Sequence, residues 1–278
     1  MNSRSLAAEN LLILAVLACL IPSAVAETVA QENESAKNVI LLIGDGMGFP
    51  QLTLARIEKS NENLSEYTII DLFMDGMDQT GYVSTFSANS FVTDSAPAAT
   101  AMATGQKTNN GVLSQDKTAI PEKKDGKNLT TILELAEKEG QSTGLITTTR
   151  ITHATPAAFY AHVDNRDNES EIADQLMKSG TDVILGGGLQ YFVGNNHTDP
   201  TGKMGKRSDE KNLLEEFSSH GYVLVFNGTG LEEIDASITD RLLGLFSSSH
   251  MQYEVERISS EEMQPSLALM TEKAIEIL

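Results

Sequence analysis

Asn38-Val39-Ile40-Leu41-Leu42-Ile43-Gly44-Asp45-Gly46-Met47-Gly48 is the stretch that decides the fold. Six residues, mostly β-branched or Leu, read as a strand buried on both faces. A glycine-rich turn follows at once, and Pro50 opens a helical pattern through Lys59. Proline is tolerated in a first helical turn because the N–H it lacks would have no partner there. The same alternation continues down the chain. Tyr82–Phe86 reads as a strand. Ser95–Thr104 reads as an Ala-rich helix, with Asp94 as N-cap and Gly105 as stop. Leu129–Glu139, Glu169–Lys178, Lys211–Ser219 and Pro265–Leu278 read as helices. Thr143–Thr148, Asp182–Leu185, Tyr222–Phe226 and Leu242–Phe246 read as strands. Strands alternating with helices imply a doubly wound, mostly parallel α/β sheet with helices on both faces. In such sheets the chemistry sits at the carboxyl ends of the strands.

Composition narrows the partners. The 278 residues carry 39 acids against 20 bases, a net charge of −19. That balance argues against nucleic acid, whose phosphates need a Lys/Arg surface. Five His and one Cys leave no zinc-finger or disulfide scaffold. Residues 1–26 read as a secretory signal: Arg4 is basic, Leu11–Ile21 is an apolar run of 11, and Ala24-Val25-Ala26 is a small-x-small cleavage site. The run is too short to span a bilayer. A lipid anchor at Val16-Leu17-Ala18-Cys19 is the weaker alternative, because Leu17 is bulky and Cys19 lies inside the apolar run. Cleavage would remove Arg4 and Glu9 together, keeping the charge at −19, and would take the only thiol with it. Residues 27–37 read as a flexible linker and 38–278 as one domain. The expected location is therefore secreted or cell-surface. Six Asn-x-Ser/Thr sequons, at Asn33, Asn63, Asn128, Asn168, Asn196 and Asn227, are either glycan sites or chance products of a polar surface.

Three segments carry chemistry. Asp45, between two glycines after the first strand, suits a metal ligand, though a turn aspartate binding backbone amides is as ordinary a reading. Ser95, in the first turn of its helix, faces free amides that favour a phosphate or an oxyanion. No Gly-x-Ser-x-Gly elbow surrounds it. Alone it is more simply a capping serine. His153 and Thr155 share a loop after the strand Thr143–Thr148, and Arg166 follows with a fork suited to phosphate. Each in isolation is more simply a turn or surface residue.

Together these segments resemble the alkaline phosphatase family. The resemblance rests on Asn38 to Gly48, on Val92-Thr93-Asp94-Ser95-Ala96-Pro97-Ala98-Ala99-Thr100-Ala101-Met102-Ala103-Thr104-Gly105, and on His153-Ala154-Thr155-Pro156-Ala157-Ala158 with Tyr160-Ala161-His162 and Arg166. Weaker matches continue at Asp182–Gly188, Leu242–Glu254 and Pro265–Leu278. The resemblance implies a phosphate monoester hydrolase with Zn2+ and Mg2+ as cofactors. It makes Ser95 the nucleophile that becomes phosphoserine and Arg166 the clamp on phosphate oxygens, steadied by Asp94. Asp45 would bridge a zinc and a magnesium, Thr155 would reach the magnesium, and His153 would join that site directly or through a water.

The family carries further ligands later in its chain: a Glu for magnesium, an Asp-x-x-x-His pair, an Asp-His pair and a late His. None of the five His here (His153, His162, His197, His220, His250) follows an Asp by one or four residues. A catalytic zinc needs about three protein ligands. The expectation is therefore a domain incomplete at its C-terminus, truncated or split. The alternative is a non-catalytic remnant, or a half-enzyme that binds phosphate or cation and needs a second chain for its zinc ligands. A homodimer or a complementing C-terminal chain is the implied protein partner. A related sulfatase or phosphodiesterase is a third reading, disfavoured by the resemblance of Asp94-Ser95 and Arg166 to the monoesterases.

Overall fold

A computed structural model describes residues 36–61, 71–260 and 263–278. The signal segment 1–26 and linker residues 27–35 lie outside them. The chain divides into two compact units, 1–44 and 45–278.

Within the described part of the first unit, residues 38–43 form no strand. Val39, Ile40 and Leu42 are 80%, 63% and 75% exposed. This corrects the expectation of a doubly buried strand. An apolar run becomes a strand only when neighbours complete its ladder, and no bridge among the described residues involves 38–43. Tyr82–Phe86 is likewise not a strand, and Tyr82 is 97% exposed. Side-chain contacts fix that segment instead: Lys107 Nζ sits 3.6 Å above the Phe86 ring and donates to the carbonyl of Ser84.

Among its described residues, the second unit holds four strands: β1 (Gly144–Arg150), β2 (Val183–Gly187), β3 (Val223–Val225) and β4 (Leu242–Leu245). Their order is β1-β2-β4-β3, and every pairing is parallel. β2 and β4 are fully buried, as their unbroken apolar sequences require. Val183 and Leu185 join Leu242, Phe246, Met251, Met270 and Ala274 in one core cluster. By the pleat, Ile184 and Leu243 face the other way, and both are also fully buried. The sheet is thus covered on both faces, as an α/β fold demands.

The helices follow the sequence closely where caps mark them. In chain order they are α1 (Phe49–Asn61), α2 (Ser95–Thr104), α3 (Ile132–Lys138), α4 (Ala154–Ala157), α5 (Glu169–Lys178), α6 (Leu213–Ser219), α7 (Gly228–Glu232), α8 (Glu254–Arg257) and α9 (Leu267–Ile277). α3 starts later than its apolar pattern suggests, because Thr131 and Glu134 form a reciprocal capping box. α4, α7 and α8 are single-turn helices too short for periodicity to reveal. α9 contributes Met270 and Ala274 to the core cluster, and α7 contributes Leu231.

Glycines let the carboxyl ends of the strands crowd together. A Cβ at Gly187 would collide with the Ser249 carbonyl oxygen, whereas one at Gly76 would meet nothing within 4 Å. Gly187→Ala should therefore destabilise the protein by about 1–3 kcal/mol through overpacking, while Gly76→Ala stays near neutral. Urea denaturation of both variants checks this, and equal midpoints would contradict the close packing at β2.

Candidate active site

Three oxygen-bearing side chains converge at the start of the second unit. Ser95 Oγ donates to Asp45 Oδ1 at 2.9 Å and lies 3.0 Å from Oδ2, and Thr155 Oγ1 donates to Oδ2 at 2.7 Å. Each residue arrives by a local device. Asp45 precedes Gly46, whose φ of +67° turns the chain toward α1. Ser95 is the first residue of α2. The Asp94 side chain accepts from the Ala96 amide at 2.7 Å, and Gly105 closes the helix in the left-handed conformation. Thr155 sits in α4, just after the carboxyl end of β1. α2 and α4 can approach closely because their facing residues, Ala96, Ala99, Ala103, Ala154 and Ala157, are small and buried.

Arg166 is held from two sides. Its Nη1 lies 3.3 Å from Asp94 Oδ1, and its Nη2 donates to His153 Nε2 at 2.9 Å. Gly111 ties the same two residues through backbone: its N–H donates to Asp94 Oδ2 and its carbonyl accepts the Arg166 N–H. Burial, and then the Arg166 charge, push the pKa of His153 down to about 4 from an ordinary 6.5. Its ring is therefore neutral near pH 7 and free to accept. With Nε2 accepting, the proton is assigned to Nδ1, which is buried without a hydrogen-bond partner.

All six residues singled out from sequence thus meet in one place: Asp45, Ser95 and Thr155 in one cluster, and Asp94, Arg166 and His153 in the next. Sequence reasoning missed the bridging role of Gly111, the neighbours of His153, namely His250 and Arg150, and the Glu169 that holds Arg150. The rings of His153 and His250 meet at 5.6 Å. The only signals for these were that His250 is one of five His and that Arg150 closes β1.

Among the described residues, no three or more His, Cys, Asp or Glu side chains group closely enough to hold a metal ion, and no helix is long and apolar enough to cross a membrane.

The fold and this cluster define a class: a parallel α/β domain with a carboxylate and two hydroxyls gathered beside an arginine fork. A family model, Alkaline phosphatase, matches residues 36–278, and the chain belongs to that family. It is 36% identical to Alkaline phosphatase 4 of Drosophila melanogaster over 88% of this chain and 46% of that protein. It is 39% identical to the tissue-nonspecific alkaline phosphatase of Felis catus, over 87% of this chain and 51% of that one. The cold-active alkaline phosphatase of Shewanella sp. superposes with a TM-score of 0.68 at 33% identity, covering 85% of this chain and 51% of that structure. A variant of the TAB5 alkaline phosphatase, solved with Mg bound in its M3 site, gives 0.65 at 28% identity over 87% of this chain and 60% of that one. The chain spans about half the length of the curated relatives it matches.

Asp94 accepts from the amides of Ala96 and Gly111 and from Arg166, so Asp94→Ala should cost about 1–2 kcal/mol of stability. Ser95→Ala, which frees only a water-accessible carboxylate, should cost less than about 0.5 kcal/mol. Chemical denaturation compares the two; equal losses would contradict the capping role given to Asp94.

Proposed function

We propose that this chain carries the phosphoryl-transfer half of a secreted phosphate monoester hydrolase, with Ser95 as nucleophile. The observation that supports this most directly is the convergence of Ser95 and Thr155 on Asp45 beside an Arg166 held by Asp94 and His153. Membership of the alkaline phosphatase family supports the substrate class. Residues 1–26 are assigned as the signal peptide, 27–37 as linker and 38–278 as the alkaline phosphatase-type domain.

The residues' own chemistry is simple. Ser95 donates its proton to Asp45, which leaves its lone pairs to face a phosphorus atom. Each Nη of Arg166 spends one N–H on Asp94 or His153 and keeps another for a phosphate oxygen. The guanidinium is thus oriented before substrate arrives, and it offsets charge on the equatorial oxygens. Attack forms the Ser95 Oγ–P bond, releases the hydroxyl proton to solvent by way of Asp45, and breaks the ester P–O bond. The alcohol leaves with a proton from solvent, and water then hydrolyses the phosphoserine to inorganic phosphate, returning a proton to Ser95.

The donor set fits a magnesium ion: Asp45 and Thr155 offer hard oxygens in an exposed position that waters can complete. The TAB5 structure with bound Mg supports the same assignment. Such an ion would lower the cost of ionising Ser95 and offset phosphate charge. Nε2 of His153 is taken by Arg166, so any share it has in this site runs through a water. The donors do not fit a zinc: among the described residues, Asp45 stands without the other two protein ligands a catalytic zinc uses. No step is assigned to zinc. A second reading is a half-enzyme whose zinc donors come from a complementing chain.

The test is turnover of a chromogenic phosphate monoester by residues 27–278, with and without magnesium and zinc. The expected result is metal-dependent hydrolysis. Ser95→Ala should lower kcat by at least about a thousandfold, and Arg166→Ala should lower kcat/KM by about a hundredfold. Phosphate binding without turnover would favour the half-enzyme. Turnover unchanged in Ser95→Ala would overturn the proposal.

A further inference from the structure

A second layer of contacts reaches the site from the loop after β4. Residues 247–251 cross the carboxyl end of β2, where Gly187 leaves room for the Ser249 carbonyl. The Gly188 N–H lies 3.0 Å from the Ser247 carbonyl and 2.9 Å from that of Ser249. The Met251 N–H donates to the Thr148 carbonyl of β1 at 3.0 Å. This crossing brings His250 against Arg150, the last residue of β1. Arg150 Nη1, a donor only, lies 2.5 Å from His250 Nε2, which therefore accepts.

Arg150 is itself anchored. Its Nε donates to Glu169 Oε2 at 2.7 Å, and the same oxygen accepts from Thr152 Oγ1 at 2.6 Å. Glu169 is only 6% exposed. A buried carboxylate satisfied by a guanidinium and a hydroxyl makes a stiff support. At the far end, the His250 ring meets the His153 ring edge to face, at 5.6 Å and 68°.

His153 needs such a support. An imidazole that accepts through one nitrogen is usually fixed by a hydrogen bond at the other. Here Nδ1 is buried and has no partner, so packing must hold the ring. A rotated ring would turn a carbon toward Arg166 and release one side of its guanidinium.

We infer that His250, fixed by Arg150, is a positioning residue: its ring holds His153 in the orientation in which Nε2 accepts from Arg166. The inference rests on Arg166 being the phosphate clamp. Gly187 at the end of β2 gains a role in it, as the gap through which the His250 loop reaches the site.

The test combines two readouts. Imidazole 15N shifts report the His153 tautomer, and calorimetric titration with inorganic phosphate, in the presence of zinc and magnesium salts, reports the clamp. Wild type should show the His153 proton on Nδ1. His250→Ala and Arg150→Met should give mixed tautomers and bind phosphate about three- to tenfold more weakly, the cost of ordering a freed side chain on binding. His250→Phe, which keeps a ring but loses the hold of Arg150, should fall between wild type and His250→Ala in both readouts. A wild-type tautomer and affinity in both His250→Ala and Arg150→Met, with Arg166→Ala still weakening binding, would overturn this inference alone. No phosphate binding by wild type, or binding indifferent to Arg166→Ala, would overturn the clamp reading and this inference with it.

Discussion

The Asp45 carboxylate, accepting from the hydroxyls of Ser95 and Thr155, is the interaction on which the site depends. Its partners lie 50 and 110 residues further along the chain. Only a tertiary fold can bring such groups together, and each arrives on a different device: a glycine turn, a capped helix, and a single helical turn beyond the end of β1. The sheet supplies the fixed frame, since β2 and β4 are buried throughout and β1 leads directly into the loop bearing His153 and Thr155. Were that frame to loosen, one carboxylate could not keep two hydroxyls within 3 Å.

Electrostatics gives the site its selectivity against the rest of the surface. The chain carries −19 overall, which repels anions at long range. Locally, Arg166 and Arg150 flank two imidazoles whose pKa values are both lowered, first by burial and then by those guanidiniums. The positive charge therefore stays on the arginines, and the histidines serve as neutral acceptors and packing partners. Asp94 and Glu169 balance the guanidiniums from behind, so each fork is fixed without its outward N–H groups being spent.

Elements whose signals are local were legible in the sequence. α2 matches its reading to the residue because an aspartate cap and a left-handed glycine mark both ends. α5 does so because its acidic start and Lys178 end suit the helix dipole. Residues 38–43 were not legible, since an apolar run carries no information about the strands beside it, and here the side chains are exposed. The six site residues were found because their motifs together resemble the alkaline phosphatase family; read singly, each was as simply a turn, cap or surface residue. His250 was not found, because its role comes from a loop crossing β2, a contact across 100 residues that no spacing announces. Membership of the alkaline phosphatase family agrees with the residue-level reading, while the match to about half of each relative's length keeps activity a property to be measured.

The central claim is that Ser95 accepts a phosphoryl group beside Asp45. The most direct measurement is acid-quenched trapping of the protein after mixing with a phosphate monoester and magnesium and zinc salts, followed by peptide mass mapping. The account predicts a phosphoryl group on Ser95, lost in Ser95→Ala. Phosphorylation at another residue, or none while product forms, would contradict it.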